Sequence, residues 1–299
     1  MSARLLPAFA LLAGCATAPA TAPLADASAG QRAWAAACGA ADEWDKPGPP
    51  FRIHGDTYYV GTCGITALLV TGPDGHTVLD SGTDKGAAIV LANIRALGFD
   101  PRDVKTLFMT HEHFDHVGGM ARLQEATGAT VLASAPAAAV LRSGRPGPGD
   151  PQANSGHPAF PPVTGRIVEI ESAEGQRALG KFRAIFTPGH TLGALSWTWQ
   201  ECEGAECKSV VYADSLNPIS SDRYRFSDHP ALVKAFRGGL VAVGGAPCDI
   251  LIAPHPVAAN WRARLLGEKP LIDPASCRDY AAAASARLDK RLADEARGG

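Results

Sequence analysis

The 299-residue sequence has no block of lysine and arginine, and its formal net charge is only -2. A nucleic-acid-binding protein would carry a basic stripe, so that class of partner is set aside. Any anionic substrate must be drawn in by local charge. The apolar run at residues 5–13 is too short to span a bilayer as a helix. The sequence has no G-x-S-x-G elbow and no S-x-x-K or K-T-G, which disfavours a serine nucleophile. Starting at Gly175, one run follows the phosphate-loop pattern until its last position, where Phe182 replaces the required Ser or Thr; it is read as chance. No short-period repeat is visible.

What is present suffices for a sizeable core. Hydrophobic residues make up 46% and charged residues 19% of the chain, which fits one large domain or two tightly fused halves. Arg4 followed by the apolar run reads as a targeting signal over residues 1–15. Within it Leu12-Ala13-Gly14-Cys15 has the form of a lipobox, making Cys15 the candidate for lipidation and the mature amino terminus. The competing reading is an ordinary secretory signal cleaved further on, with Cys15 discarded. Residues 16–30, rich in Ala, Thr and Pro, read as a tether, and residues 31–299 as the folded domain. Export implies the periplasm, possible membrane contact only through a lipid anchor, and an oxidising compartment. Cys38, Cys63, Cys202, Cys207, Cys248 and Cys277 form an even set, as disulfides require. Cys202 and Cys207 flank a polar turn between strand-like runs, where a bridge can close a hairpin. Cys38 with Cys63, and Cys248 with Cys277, are the simplest remaining partners; the alternative is that some stay reduced and buried.

Strand-like content at 57–60, 65–71 and 77–80 is followed by a helical pattern at 84–97 and a short strand at 104–109. A helix at 117–126 and a strand at 130–133 come next. Residues 143–162, crowded with Gly and Pro, form a long loop expected to be functional or mobile, a wall over a site. Strands at 166–170, 182–186, 194–199, 209–213 and 250–253, with helices at 231–243 and 275–293, repeat the logic of the first half. Two such halves packed sheet to sheet make an α/β (α+β) four-layer αββα sandwich.

His111-Glu112-His113-Phe114-Asp115-His116 puts four candidate metal ligands in six residues at a strand end. In an extended turn alternate residues project the same way, so His111 and His113 grip one ion while Asp115 and His116 turn to a second. Imidazole and carboxylate are ligands that zinc takes. Further ligands must come from elsewhere: His190, after Thr187-Pro188-Gly189, and His255, between Pro254 and Pro256, both follow strands on proline-stiffened turns.

This pattern resembles the metallo-β-lactamase superfamily, over roughly residues 50 to 290, and is most similar to its subclass B3. Gly61-Thr62-Cys63-Gly64-Ile65, Pro188-Gly189-His190-Thr191, Ala213-Asp214-Ser215-Leu216 and Pro254-His255-Pro256 with Asn260-Trp261 carry the likeness beside the HxHxDH run. The resemblance implies two zinc ions, one on His111, His113 and His190 and one on Asp115, His116 and His255. It also implies that Ser215 and Asn217 contact a substrate carboxylate, that Asp115 orients the attacking hydroxide, and that the six cysteines fall where some exported relatives have disulfides. Relatives often have serine where Asn217 stands, and the plainer reading of both residues is turn chemistry before Pro218. Asp80 is either a partner that orients a ligand histidine or an ordinary turn residue.

The implied activity is zinc-dependent opening of the β-lactam amide of penicillins, cephalosporins and carbapenems, conferring antibiotic resistance. Zinc lowers the pKa of bound water from about 15.7 to roughly 7, so no side-chain base or covalent intermediate is needed. Two dications offset by one Asp and one hydroxide leave positive charge to polarise a carbonyl, draw in a carboxylate and stabilise a departing amide nitrogen. The scaffold also serves lactonases and glyoxalase II-type thioesterases, in which an Asp near the position of Asp214 commonly bridges the metals. A zinc-storage lipoprotein is the reading from another class. His54, His76, His157 and His229 read as surface residues, with His157 singled out by its place in the long loop.

Overall fold

In Leu68-Leu69-Val70, neighbouring side chains must point to opposite faces of a strand, yet all three are buried. A sheet built from such strands has to be covered on both sides. The structure is a computed structural model, and residues 27–171 and 179–298 are described. The expected signal at 1–15, Cys15, most of the tether and Gly175 lie outside these residues.

The first sheet has seven strands in sequence order: β1 (Phe51–His54), β2 (Thr57–Tyr59), β3 (Leu68–Val70), β4 (His76–Leu79), β5 (Val104–Phe108), β6 (Thr130–Ser134) and β7 (Ile167–Ile170). Pairing is antiparallel through β4 and parallel from β4 to β7. The second sheet contains β8 (Arg183–Phe186), β9 (Leu195–Glu203), β10 (Glu206–Tyr212) and β11 (Ile250–Ile252), in the order β11-β10-β9-β8. Leu69, Val78 and Leu107 face α2 (Asp84–Ala96), α4 (Met120–Thr127) and α5 (Ala135–Ser143) in one core. Leu68, Leu79 and Phe108 face the second sheet in another, which continues to α6 (Pro230–Gly244) and α8 (Ser276–Ala296). These are the four layers the sequence pattern predicts. α1 (Ala27–Cys38) packs on β1 and on α7 (Trp261–Leu265).

The sheets are joined directly beneath the HxHxDH run. Trp197 of β9 stacks on Phe108 of β5 with ring centroids 4.0 Å apart, and its Nε1 donates to the Met109 carbonyl at 2.8 Å. Leu195 N donates to the Thr110 carbonyl at 2.6 Å.

Three expectations change. The tether was expected to extend through residue 30, but α1 begins at Ala27, where the Ala-rich sequence favours helix. The helix expected at 117–126 is two pieces, α3 (Phe114–Val117) and α4. A Cβ at Gly118 would stand 2.2 Å from the Phe114 carbonyl of α3 and one at Gly119 2.3 Å from the Ala87 Cβ, so Gly118 lets the chain leave α3 tightly and Gly119 permits a close approach to α2. Third, the ligand run is extended only as far as His113; Asp115 and His116 sit on the turn of α3. Disulfides join Cys38–Cys63, Cys202–Cys207 and Cys248–Cys277. Among the described residues, no helix is long and apolar enough to cross a membrane.

Candidate metal centre

The end of β5 delivers His111, and the change from extended chain to α3 fans out the residues behind it. His113 caps α3 in a β conformation, while Asp115 and His116 lie one turn on. His190 arrives on the turn after β8; a Cβ on Gly189 would stand 2.2 Å from the Phe236 ring, so only glycine lets this turn press against α6. His255 follows β11 on a turn that Thr66 pins, Thr66 Oγ1 donating to the Ala253 carbonyl and its N–H to that of Pro254, each at 2.8 Å.

These elements bring all six expected ligands together. His111, His113 and His190 offer nitrogen atoms within 4.8 Å of one another, as do the ligand atoms of His111, Asp115 and His116. His255 closes the second group: its Nε2 is 3.2 Å from His116 Nε2 and 3.5 Å from Asp115 Oδ2, itself 3.0 Å from His116 Nε2. The rings of His111 and His116, 4.2 Å apart, join the two groups.

Behind the ligands stand carboxylates and a carbonyl close to the outward ring nitrogens. Asp214 Oδ1 lies 2.9 Å from His111 Nδ1, and the Asn217 carbonyl 2.8 Å from His190 Nδ1. Both histidines therefore turn Nε2 into the cluster. His113 is reversed: Asp150 carboxylate oxygens sit 3.3 and 3.2 Å from its Nε2, leaving Nδ1 to face its neighbours. Glu112, between the two histidines, points away and accepts from Thr191 Oγ1 at 2.6 Å and Gly193 N at 2.8 Å, locking the His190 turn to the HxH run.

Burial sets the protonation states. It drives His111 well below the ordinary imidazole range, His190 down to about 3 and His255 to about 4. All three are neutral at neutral pH, the form that binds a cation. For His116 the same burial is outweighed by Asp115, and its pKa is raised; Asp115 is held far down in return, its own burial outweighed by His116. Buried neutral imidazoles converging beside a carboxylate are a donor set that zinc fits.

Asp80 is resolved as a partner of this run. Held at φ 61°, it accepts from Thr110 N at 2.6 Å, Thr110 Oγ1 at 2.7 Å and Tyr212 OH at 2.6 Å, with His116 Nδ1 3.7 Å away. Asp214 belongs to neither metal-capable group, standing behind His111. Ser215 has a buried Oγ with no hydrogen-bond partner among the described residues. Asn217 reaches the cluster through its backbone carbonyl. His157, expected at the surface, is half-buried with its ring 5.6 Å from that of His113 and 5.3 Å from that of Phe114. The 143–162 loop thus reaches the site. Asp150 and Glu112 were not anticipated: one sits in an irregular Gly-Asp-Pro stretch, the other between two histidines that drew all the notice. His54, 3.5 Å from Glu203, and His229, stacked on Tyr224, take no part.

The model of the metallo-β-lactamase superfamily matches residues 60–202. The solved structure of the MIM-2 metallo-β-lactamase is 51% identical, the match covering 89% of this chain and 98% of that one, with a TM-score of 0.83. MEM-A1, a subclass B3 metallo-β-lactamase from a soil metagenome library, is 41% identical over 86% of this chain and 100% of that one, with a TM-score of 0.79. The hydroxyacylglutathione hydrolase of Ectopseudomonas mendocina (strain ymp) is 30% identical over 137 residues, 46% of this chain and 42% of that protein. The chain spans less than half the length of the curated relatives it matches. Near-complete coverage at 51% and 41% identity, with the six candidate ligands gathered in one cluster, places the chain in the metallo-β-lactamase superfamily, in its subclass B3.

Proposed function

We propose that this chain hydrolyses the β-lactam amide of penicillins, cephalosporins and carbapenems and so confers resistance to them. It holds two zinc ions, one on His111, His113 and His190 and the other on Asp115, His116 and His255. The observation that carries the reading is the adjacency of these two groups, with Asp150 and the Asn217 carbonyl bonded to two rings of the first from behind and Asp214 standing 2.9 Å behind the third. When bound, zinc supplies a lowered pKa for water and positive charge against the substrate carbonyl.

The protein's own residues do the rest. Asp115, kept ionised beside His116, orients the attacking water. Oxygen from that water adds to the carbonyl carbon, the C–N bond breaks, and the nitrogen leaves with a proton. Ser215, whose buried hydroxyl lacks a partner, and the Asn217 side chain offer hydrogen bonds to the substrate carboxylate. The targeting pattern of residues 1–15 and three disulfides support a periplasmic location, with Cys15 as the lipid anchor.

A lactonase or glyoxalase II-like thioesterase is the second reading, favoured by the partial match to hydroxyacylglutathione hydrolase. Asp214 argues against it, because that residue backs His111 where a bridging carboxylate would stand between the groups. Purified protein assayed on a penicillin, a cephalosporin, a carbapenem, an acyl-homoserine lactone and a glutathione thioester, with and without chelator, separates the readings. Chelator-sensitive turnover of the β-lactams is the expected result. Turnover of none of them would sink the proposal, and turnover of the lactone or thioester alone would install the second reading.

A further inference from the structure

The chain leaving β10 carries Asp214, Ser215 and Asn217, yet it forms no regular element until the 3-10 turn at Phe226–Asp228. Leu216, in the middle of the site turn, is fully buried at φ 38°, a left-handed conformation that a branched side chain resists. Something outside the turn must hold it there. Among the described residues, the donors that reach the carbonyls of 214, 215 and 216 are all side chains of α8. Tyr280 OH lies 3.0 Å from the Asp214 carbonyl and 3.2 Å from that of Ser215, and Arg287 Nη2 is 3.5 Å from that of Leu216.

The same helix continues along the segment in step. Arg291 Nη2 donates to Ser220 Oγ at 2.7 Å and to the Tyr224 carbonyl at 2.9 Å, and Glu295 accepts from Phe226 N at 3.0 Å and Ser227 N at 2.8 Å. Positions 280, 287, 291 and 295 recur at multiples of about 3.6 residues and so share one face of the helix. Cys277, one turn before Tyr280 on that face, is anchored by its disulfide to Cys248, ahead of β11.

We propose that α8 is a positioning element of the metal centre and that Tyr280 is its principal positioning residue, with Arg287 assisting. By fixing the carbonyls of the 214–216 turn, Tyr280 sets where Asp214 meets His111 and where the Asn217 carbonyl meets His190. Two of the three histidines of the first group are thus oriented through one phenol on the opposite outer layer. The inference rests on the zinc reading of that group, and the Cys248–Cys277 disulfide is part of the device because it fixes the start of α8.

The test uses Tyr280→Phe, which removes only the hydroxyl, and reads zinc affinity by chelator competition and hydrogen exchange of the metal-free full chain. Expected are zinc binding about 10-fold or more weaker and faster exchange at amides 213–217, with β5 and α2 unchanged. kcat should fall while KM stays within about twofold, since the ligands rather than the substrate contacts are disturbed. Cys248→Ala with Cys277→Ala should act in the same direction. Cys202→Ser with Cys207→Ser, in a hairpin remote from the turn, should leave zinc affinity unchanged. Wild-type exchange and zinc affinity in Tyr280→Phe would overturn the proposal, as would equal weakening by the hairpin pair, which would mean general destabilisation. If wild-type protein binds no zinc tightly, it is the function that fails, and exchange at 213–217 in the metal-free protein still decides the role of Tyr280.

Discussion

The Nε2 atoms of His116 and His255 stand 3.2 Å apart, with Asp115 Oδ2 3.0 Å from the first and 3.5 Å from the second. Such a triangle of ligand atoms from α3 and from the turn after β11 closes only around a shared cation or proton. On the two-zinc proposal, replacement His255→Ala should therefore leave one bound zinc per chain in place of two and cut β-lactam turnover sharply. Metal analysis of the purified variant checks it; a content still at two per chain would show that another residue completes the second group.

Asp150 fixes the one histidine that faces the cluster by Nδ1, through contacts of 3.2 and 3.3 Å to His113 Nε2. Asp150→Ala leaves that ring free to adopt the wrong tautomer. Loss of a carboxylate behind a metal-binding histidine typically costs about 10–100-fold in affinity or activity, and a loss of that order is expected here. Zinc titration of the metal-free protein measures it. Asp150→Asn, which keeps an acceptor oxygen, should lose less.

How much of this was legible beforehand depended on the kind of signal. Alternating and helical periodicities marked most strands and the helices α2, α6 and α8, and the HxHxDH spacing marked the cluster, because both are local patterns. β1 was missed although Phe51 and Ile53 alternate with half-buried partners, since Arg52 and His54 break its apolar run. α5 was missed because Pro136 reads as a breaker until it is seen at the first turn of a helix capped by Ser134. Asp150, Glu112 and Tyr280 carried no sequence signal at all. Each acts across 37 or more residues of chain, which only the packed fold brings together.

Asp80 accepts three hydrogen bonds, from Thr110 N, Thr110 Oγ1 and Tyr212 OH, in a fully buried site between the sheets. Asp80→Ala strands Thr110 N, at a cost of about 1–3 kcal/mol for a buried unpaired donor, leaves Tyr212 OH only the Thr66 carbonyl at 3.2 Å and Thr110 Oγ1 only His111 Nδ1 at 3.3 Å, and puts alanine at φ 61°. The expected result is destabilisation by roughly 2–4 kcal/mol, allowing for partial relaxation. Chemical denaturation of the metal-free protein checks it. A change under about 1 kcal/mol would mean that water replaces the carboxylate.

Glu295 supplies an acid-sensitive lock at the far end of α8. Burial would raise its pKa, but the N–H groups of Ser227 and Phe226 and the Arg291 guanidinium outweigh that and pull it from 4.5 to about 2. A carboxyl depressed in the folded state contributes stability that is fully present above the unfolded pKa and is lost as pH falls through the folded one. For Glu295 the window runs from about pH 4.5 down to about pH 2. Glu295→Gln should lower stability by about 1–3 kcal/mol near neutral pH, the worth of hydrogen bonds to a charged group. On acidification the wild type should lose that advantage, so the two unfolding curves, measured at about pH 7 and about pH 3, should converge. Curves that stay equally far apart at both values would show that the Glu295 charge adds nothing to the lock.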